Sequence, residues 1–145
     1  MDSWCVSQVT DMSYLFSGKA SFNEELSSWD TSSVQDMSWM FFRTSSFAGD
    51  LSSWDTSSVQ NMNSMFREAT KFNSDLSGWD ISSVIRMNDM FQTASSYNQD
   101  LCEWSDKFPY SQAINIFSDS GCTFQDSPQS NMLMPGPFCA SSCRA

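Results

Sequence analysis

Carboxylates and hydroxyls at a fixed spacing are the residues of this chain best placed to do chemistry. Asp30, Asp55 and Asp80 recur at one constant interval. Ser32, Ser57 and Ser82 follow them two positions later, and Ser28 and Ser53 precede the first two. A second acidic column runs through Glu25, Asp50, Asp75 and Asp100. Stacked ~4.8 Å apart, the carboxylates of the Asp30 column repel by ~0.9 kcal/mol per adjacent pair even at water's dielectric constant. That repulsion needs a compensator, either the exposed amides of a helix N-terminus or Ca²⁺, which takes several oxygen ligands. Calcium at Asp30, Asp55 and Asp80 is therefore a candidate, although no copy has the spaced acids of a recognised calcium loop. The Glu25 column is read as turn carboxylates that accept backbone N–H bonds.

Catalysis has little to work with. The chain contains no histidine, no nucleophile elbow and no phosphate-cradling glycine loop. Its acids are identical copies, whereas acid and base roles need two different environments. The expectation is that the protein is not an enzyme and has no cofactor, calcium apart. A net charge of −10 with only seven Lys or Arg argues against nucleic acid, because phosphate affinity depends on cations that displace counterions. No apolar run is long enough to span a membrane and no export signal is present, so a signal for an exported protein would lie outside this sequence.

The element that must position these columns is the repeat itself. Trp recurs at 4, 29, 54, 79 and 104, Val at 9, 34, 59 and 84, Met at 12, 37, 62 and 87, and Phe at 16, 41, 66 and 91. An aromatic recurs at Phe22, Phe47, Phe72 and Tyr97, and Leu at 26, 51, 76 and 101. Val34, Met37, Met40 and Phe41 fit one side of a short helix. Leu51, Trp54 and Thr56 resemble the inward positions of a leucine-rich-repeat strand. The expected fold is an α/β repeat solenoid, a leucine-rich-repeat-like right-handed coil with one short parallel strand and one short helix per repeat, plus a C-terminal cap. Its repeat-positioned Met side chains read as core filler. Residues 1–104 form the solenoid in four copies, the first partial at its N-terminal edge. Residues 105–145 form a degenerate last coil, which fits the pattern after a one-residue slip at Ala113, Ile116 and Phe117, and a Cys-containing cap.

Cys102, Cys122, Cys139 and Cys143 cluster in the region without repeats and are candidates for disulfides made in an oxidising compartment. Cys5 is then the thiol left over. At the other end Met1 falls on the Leu26 position and Trp4 on the Trp29 position, so the N-terminal edge has no cap and expects either more repeats or a docking partner.

The unit from Phe72 to Phe91, FNSDLSGWDISSVIRMNDMF, resembles the BspA-like bacterial surface protein repeat, a leucine-rich-repeat relative. The resemblance spans residues 1 to about 104 and is carried by Asn73, Asp75, Leu76, Trp79, Asp80, Ser82, Ser83, Val84, Met87, Met90 and Phe91. The second copy departs at Ala48 and Gly49, and Cys5 replaces the Asp after Trp4. The resemblance implies an extracellular or cell-surface protein and adhesion in some members. The leading expectation is thus a non-catalytic binding module that presents Ser28, Asp30, Ser32, Ser53, Asp55, Ser57, Asp80 and Ser82 to a protein or glycan. The alternatives are a building block that self-associates end to end through the N-terminal edge into a layer or filament, and ice binding, for which Thr31 and Thr56 supply a column broken by Ile81.

Overall fold

A computed structural model describes residues 4–130 and 136–143; the expectation for Met1 lies outside these. The chain winds in coils, one for each copy of the repeat, and equivalent residues stack on one another. A ladder of four backbone bonds joins each coil to the next. In the second copy the amides of Met37, Trp39, Phe41 and Arg43 donate to the carbonyls of Asn61, Asn63, Met65 and Arg67 at 2.9–3.0 Å. The same four positions pair throughout, from Met12, Tyr14, Phe16 and Gly18 onto Asp36, Ser38, Met40 and Phe42, to Met87, Asp89, Phe91 and Thr93 onto Gln112, Ile114, Ile116 and Ser118. The last of these sets reaches one position further along the chain than the others, which is the slip read from the sequence. Beside the ladder a bond runs the other way, from Gln35 to Thr10, Gln60 to Gln35 and Ile85 to Gln60.

Between the ladder amides the chain closes a series of tight turns. Met40 donates to Met37, Phe42 to Trp39 and Thr44 to Phe41. Alternate amides thus serve the turn and the neighbouring coil, which leaves few backbone donors idle. This alternation requires left-handed residues at two positions in each coil: Tyr14 and Gly18, Trp39 and Arg43, Ser64 and Glu68, Asp89 and Thr93, Asn115 and Asp119, all with φ between 54° and 74°. A non-Gly residue there costs about 1–2 kcal/mol. The four ladder bonds of one interface return about 2–6 kcal/mol together, at about 0.5–1.5 kcal/mol each, which is comparable to the cost of two such residues per coil. Burial of the apolar side chains therefore decides whether the coils stack.

The expected α/β solenoid, with a helix and a strand in each repeat, is not what forms. Among the described residues there is no α-helix and no strand that belongs to a sheet, only the 3-10 segments Cys102–Lys107 and Tyr110–Gln112 and isolated bridges such as Asp11 to Asp36, Asp36 to Asn61 and Asn61 to Arg86. The segment expected to be helical carries the backbone ladder. The segment expected to be a strand, Asp50–Thr56, instead turns where Trp54 donates to Leu51, and a second turn follows directly where Val59 donates to Thr56. The spacing of Val34, Met37 and Met40 misled because three positions is also the interval of successive turns closed to the third residue back. A helix would need φ of about −63° at the positions that are left-handed here.

The inward columns are as the repeat suggests. Leu51, Trp54, Thr56, Val59, Met62, Met65, Phe66 and Phe72 are all buried, and so are Met12, Met37, Met40, Met87 and Met90. Rings stack from coil to coil, with Phe16, Phe41, Phe66, Phe91 and Phe117 at centroid distances of 5.4–5.9 Å. Phe22, Phe47, Phe72 and Tyr97 form a parallel column at 5.7–5.9 Å. Three buried indoles also tie coils together. Trp54, Trp79 and Trp104 donate from Nε1 to the carbonyls of Leu26, Leu51 and Leu76, each in the preceding copy.

The C-terminal segment closes over the last coil. Disulfides join Cys102 to Cys143 and Cys122 to Cys139, and Cys5 is the free, exposed thiol. Phe138 is fully buried and meets Phe108 edge-on. The Ala140 amide bonds to Gln99, so the cap is attached by backbone, by apolar contact and covalently.

Candidate functional site

Two acidic columns stand on the surface because the coil turns there on carboxylates. Asp30 Oδ1 accepts both the backbone N–H and the hydroxyl of Ser32, at 3.1 and 2.6 Å. Asp55 holds Ser57 in the same way, at 2.9 and 2.6 Å, and Asp80 accepts the Ser82 amide at 2.9 Å. The second column repeats the device: Glu25 accepts from Ser27, Asp50 from Ser52, Asp75 from Ser77 and Asp100 from Cys102. These are side-chain turns in which a carboxylate caps the amide two residues on.

All eight residues expected on the face, Ser28, Asp30, Ser32, Ser53, Asp55, Ser57, Asp80 and Ser82, are exposed. The structure brings the carboxylates into register and within electrostatic reach. Hydrogen bonds from Ser32, Ser57 and Ser82 hold Asp30, Asp55 and Asp80 below the usual carboxylate range, and Asp30 and Asp80 oppose that effect at Asp55. Lys107 adds to the lowering at Asp80. The compensator for the stacked charges is thus supplied locally, by serine hydroxyls and amides. One oxygen of each carboxylate is left without a protein donor among the described residues.

Calcium has no convergent cage on this column. Among the described residues the three acids do not come within shared ligand distance; the group that does is Asp100 with Cys102 and Cys143. Those sulfurs are joined in a disulfide, which removes them as thiolate ligands. Surface concavities follow the second acidic column. A groove of about 450 Å³ is lined by Ala48, Gly49, Asp50, Lys71, Asn73 and Asp75 among others. It opens where Ala48 interrupts a ladder in which the side-chain oxygens of Asn23, Asn73 and Asn98 accept the amides of Ala48, Asn98 and Thr123.

Thr31 and Thr56 are buried, and their hydroxyls donate to the carbonyls of Asp55 and Asp80 in the next coil. Ile81 fills the same inward position. Their column therefore presents no hydroxyl row to solvent.

One surface cluster escaped the reading of the repeat. Tyr14 and Trp39 stack with planes 4° apart, Phe42 meets Trp39 edge-on, and the guanidinium of Arg67 lies 5.9 Å from the Trp39 ring. Arg43 sits over Phe42 and pairs with Glu68 at 2.8 Å. The available signal was a break in the pattern: the Tyr14 and Trp39 positions become Ser64 and Asp89 in the later copies.

Residues 1–105 match the family model described as Mycoplasma protein of unknown function, DUF285. The chain belongs to that family. The match ends where the repeat gives way to the last coil and cap. It is a bacterial family, a coarser placement than the BspA-like resemblance. Comparison with curated proteins and with solved structures finds no match. No helix among the described residues is long and apolar enough to cross a membrane.

Proposed function

We propose that the protein is a non-catalytic binding module of the cell surface or extracellular space, and that its Ser/Asp face contacts a protein or glycan. The observation that supports this most is the state of the acidic columns. Both are exposed, and in the column of Asp30, Asp55 and Asp80 serine hydrogen bonds favour the ionised form. A fixed array of charges on a scaffold whose coils are bonded to one another suits complementary recognition, because little ordering cost remains at binding. Two disulfides fit an oxidising compartment. The preferred partner carries positive charge or is bridged to the face by calcium.

The test compares the wild type with an Asp30→Asn, Asp55→Asn, Asp80→Asn variant for retention on a lysine-rich protein surface and on immobilised neutral glycans, with calcium and with chelator. Loss of retention in the variant on either support is the expected result. Equal retention of the two proteins under all conditions would remove the face from consideration.

A further inference from the structure

Beside the second acidic column the repeat has a fault. Asn23, Asn73 and Asn98 hold one position in three copies, and the second copy has Ala48 there. Next to it Gly49 stands where the other copies have Glu24, Ser74 and Gln99, and in the third copy Lys71 replaces the serine found at Ser21, Ser46 and Ser96. The asparagines share one job, which is to accept the corresponding amide of the next coil on the side-chain oxygen. Asn23 accepts from Ala48 at 2.9 Å, Asn73 from Asn98 at 2.9 Å and Asn98 from Thr123 at 3.1 Å. Ala48 has no side-chain oxygen, so of these four amides that of Asn73 has no acceptor among the described residues. The side chains lost at 48 and 49 leave the groove of about 450 Å³ that Asp50, Lys71, Asn73 and Asp75 help to line. A side chain cannot return at Gly49 without moving Phe47, because a Cβ there would lie 2.8 Å from the Phe47 ring, which is fully buried. Asp50 and Asp75 each spend one oxygen on the amide two residues on, and the Ser74 hydroxyl shares the one of Asp50. Lys71 is exposed and in no ion pair among the described residues.

We propose that this groove binds an N-acetylhexosamine residue of a neutral glycan, whose acetamido carbonyl takes the place of the side-chain oxygen missing at Ala48. The Asn73 amide needs a carbonyl oxygen, and Ala48 leaves room for the carboxamide that supplies one in the other coils. An acetamido group carries the same planar amide as an asparagine side chain. Charge sets the rest of the ligand. Two carboxylates against one ammonium leave the groove negative, which disfavours an anionic sugar. Hydroxyls suit it, because the remaining oxygens of Asp50 and Asp75 accept them and Lys71 donates. The volume lies within the range of about 300–1,000 Å³ of small-ligand sites. On an exposed amide a ligand must reproduce the bond that water makes there, so the acetamido carbonyl is the group that discriminates. This site deepens the binding-module reading and rests on it for the class of partner, but it shares no residue with the face of Asp30, Asp55 and Asp80.

The experiment titrates isotopically labelled protein with N-acetylglucosamine, glucose and N-acetylalanine amide, and follows the Asn73 amide resonance. N-acetylglucosamine should shift it downfield in a saturable way. Glucose, which lacks the acetamido group, and N-acetylalanine amide, which carries that group on a peptide, should each bind several-fold more weakly. Ala48→Asn puts the missing side chain back, so the Asn73 amide should exchange more slowly and the response to the sugar should disappear. No shift with N-acetylglucosamine, or an equal response to glucose, would overturn the proposal. So would full binding by Ala48→Asn, or an Asn73 amide that exchanges no more slowly in that variant. Equal or tighter binding of N-acetylalanine amide would assign the groove to a protein partner and overturn the sugar. Lys71→Ser, which installs the residue of the other copies, covers the case in which Ala48→Asn does not fold. It should weaken N-acetylglucosamine several-fold, and unchanged affinity would overturn the placement of the sugar in this groove. The Asp30→Asn, Asp55→Asn, Asp80→Asn variant should respond as the wild type does. Loss of its response would move the sugar to the acidic face, so failure of the groove and failure of that face are separate results.

Discussion

Replacing single tryptophans by phenylalanine weighs the tie between coils. Trp54 and Trp79 occupy equivalent sites: each is 4% exposed and donates from Nε1 at 2.9 Å, to Leu26 and Leu51 respectively. Trp29 is 6% exposed in the same column, but its buried Nε1 has no acceptor among the described residues. All three substitutions remove the same part of a ring from the core, so the volume terms nearly cancel in comparison. The Leu26 carbonyl also accepts the Trp29 amide at 3.1 Å, so Trp54→Phe removes one of its two bonds and does not orphan it. The difference between Trp54→Phe and Trp29→Phe should therefore be the net worth of one hydrogen bond, about 0.5–1.5 kcal/mol. Trp79→Phe should match Trp54→Phe. Urea unfolding resolves this provided the slope is unchanged among the three variants. A cost for Trp29→Phe equal to or above the other two would refute the claim that the indole bonds tie the coils.

Three further outcomes follow from the same geometry. Asp55→Asn keeps an oxygen that can accept the Ser57 amide, so stability measured by urea unfolding should change by less than about 0.5 kcal/mol; a large loss would show that the charge itself holds the turn. Acidification should destabilise the fold, because serine hydrogen bonds hold Asp11, Glu25, Asp30, Asp50, Asp55 and Asp80 below their ordinary values. A depressed folded-state value contributes stability above the unfolded pKa, about 4, which is lost as pH falls through the folded value; a melting temperature flat through that window would contradict it. Reducing the disulfides opens loops of 41 and 17 residues, worth about 3–4 kcal/mol each in the chain-entropy account. Amide exchange should then rise in the cap around Phe138 while Met62–Phe91 stays protected, and uniform loss of protection would show that the cap holds the whole stack.

The side-chain pattern reported burial faithfully and backbone conformation poorly. The Trp, Met and Phe columns, the slip at Ala113, the cysteine set and the unpaired Cys5 were all legible, since a stacked repeat must put like residues in like surroundings. The turn series was not. Trp39, Arg43, Ser64 and Glu68 adopt left-handed conformations without the Gly or Asn that usually marks them, and only Gly18, Asp89, Asn115 and Asp119 carry a hint. The expected strand and helix both give way to turns because both segments have inward residues at spacings that turns also satisfy. At the candidate site, exposure of Asp30, Asp55 and Asp80 could be read, whereas the serine bonds that stabilise their charge depend on a turn geometry the spacing does not reveal. The cluster of Tyr14, Trp39 and Phe42 is not legible in the periodicity because its positions do not stay aromatic in the later copies.

The central claim is that each coil donates alternate amides to the next coil and not to its own preceding turn. Hydrogen-bond scalar coupling in isotopically labelled protein tests it directly at Phe41, whose amide lies 2.9 Å from the Met65 carbonyl. The structure predicts coupling from the Phe41 nitrogen to the Met65 carbonyl carbon, repeated from Phe66 to Met90. Coupling from Phe41 to Met37, the helical partner, would contradict it.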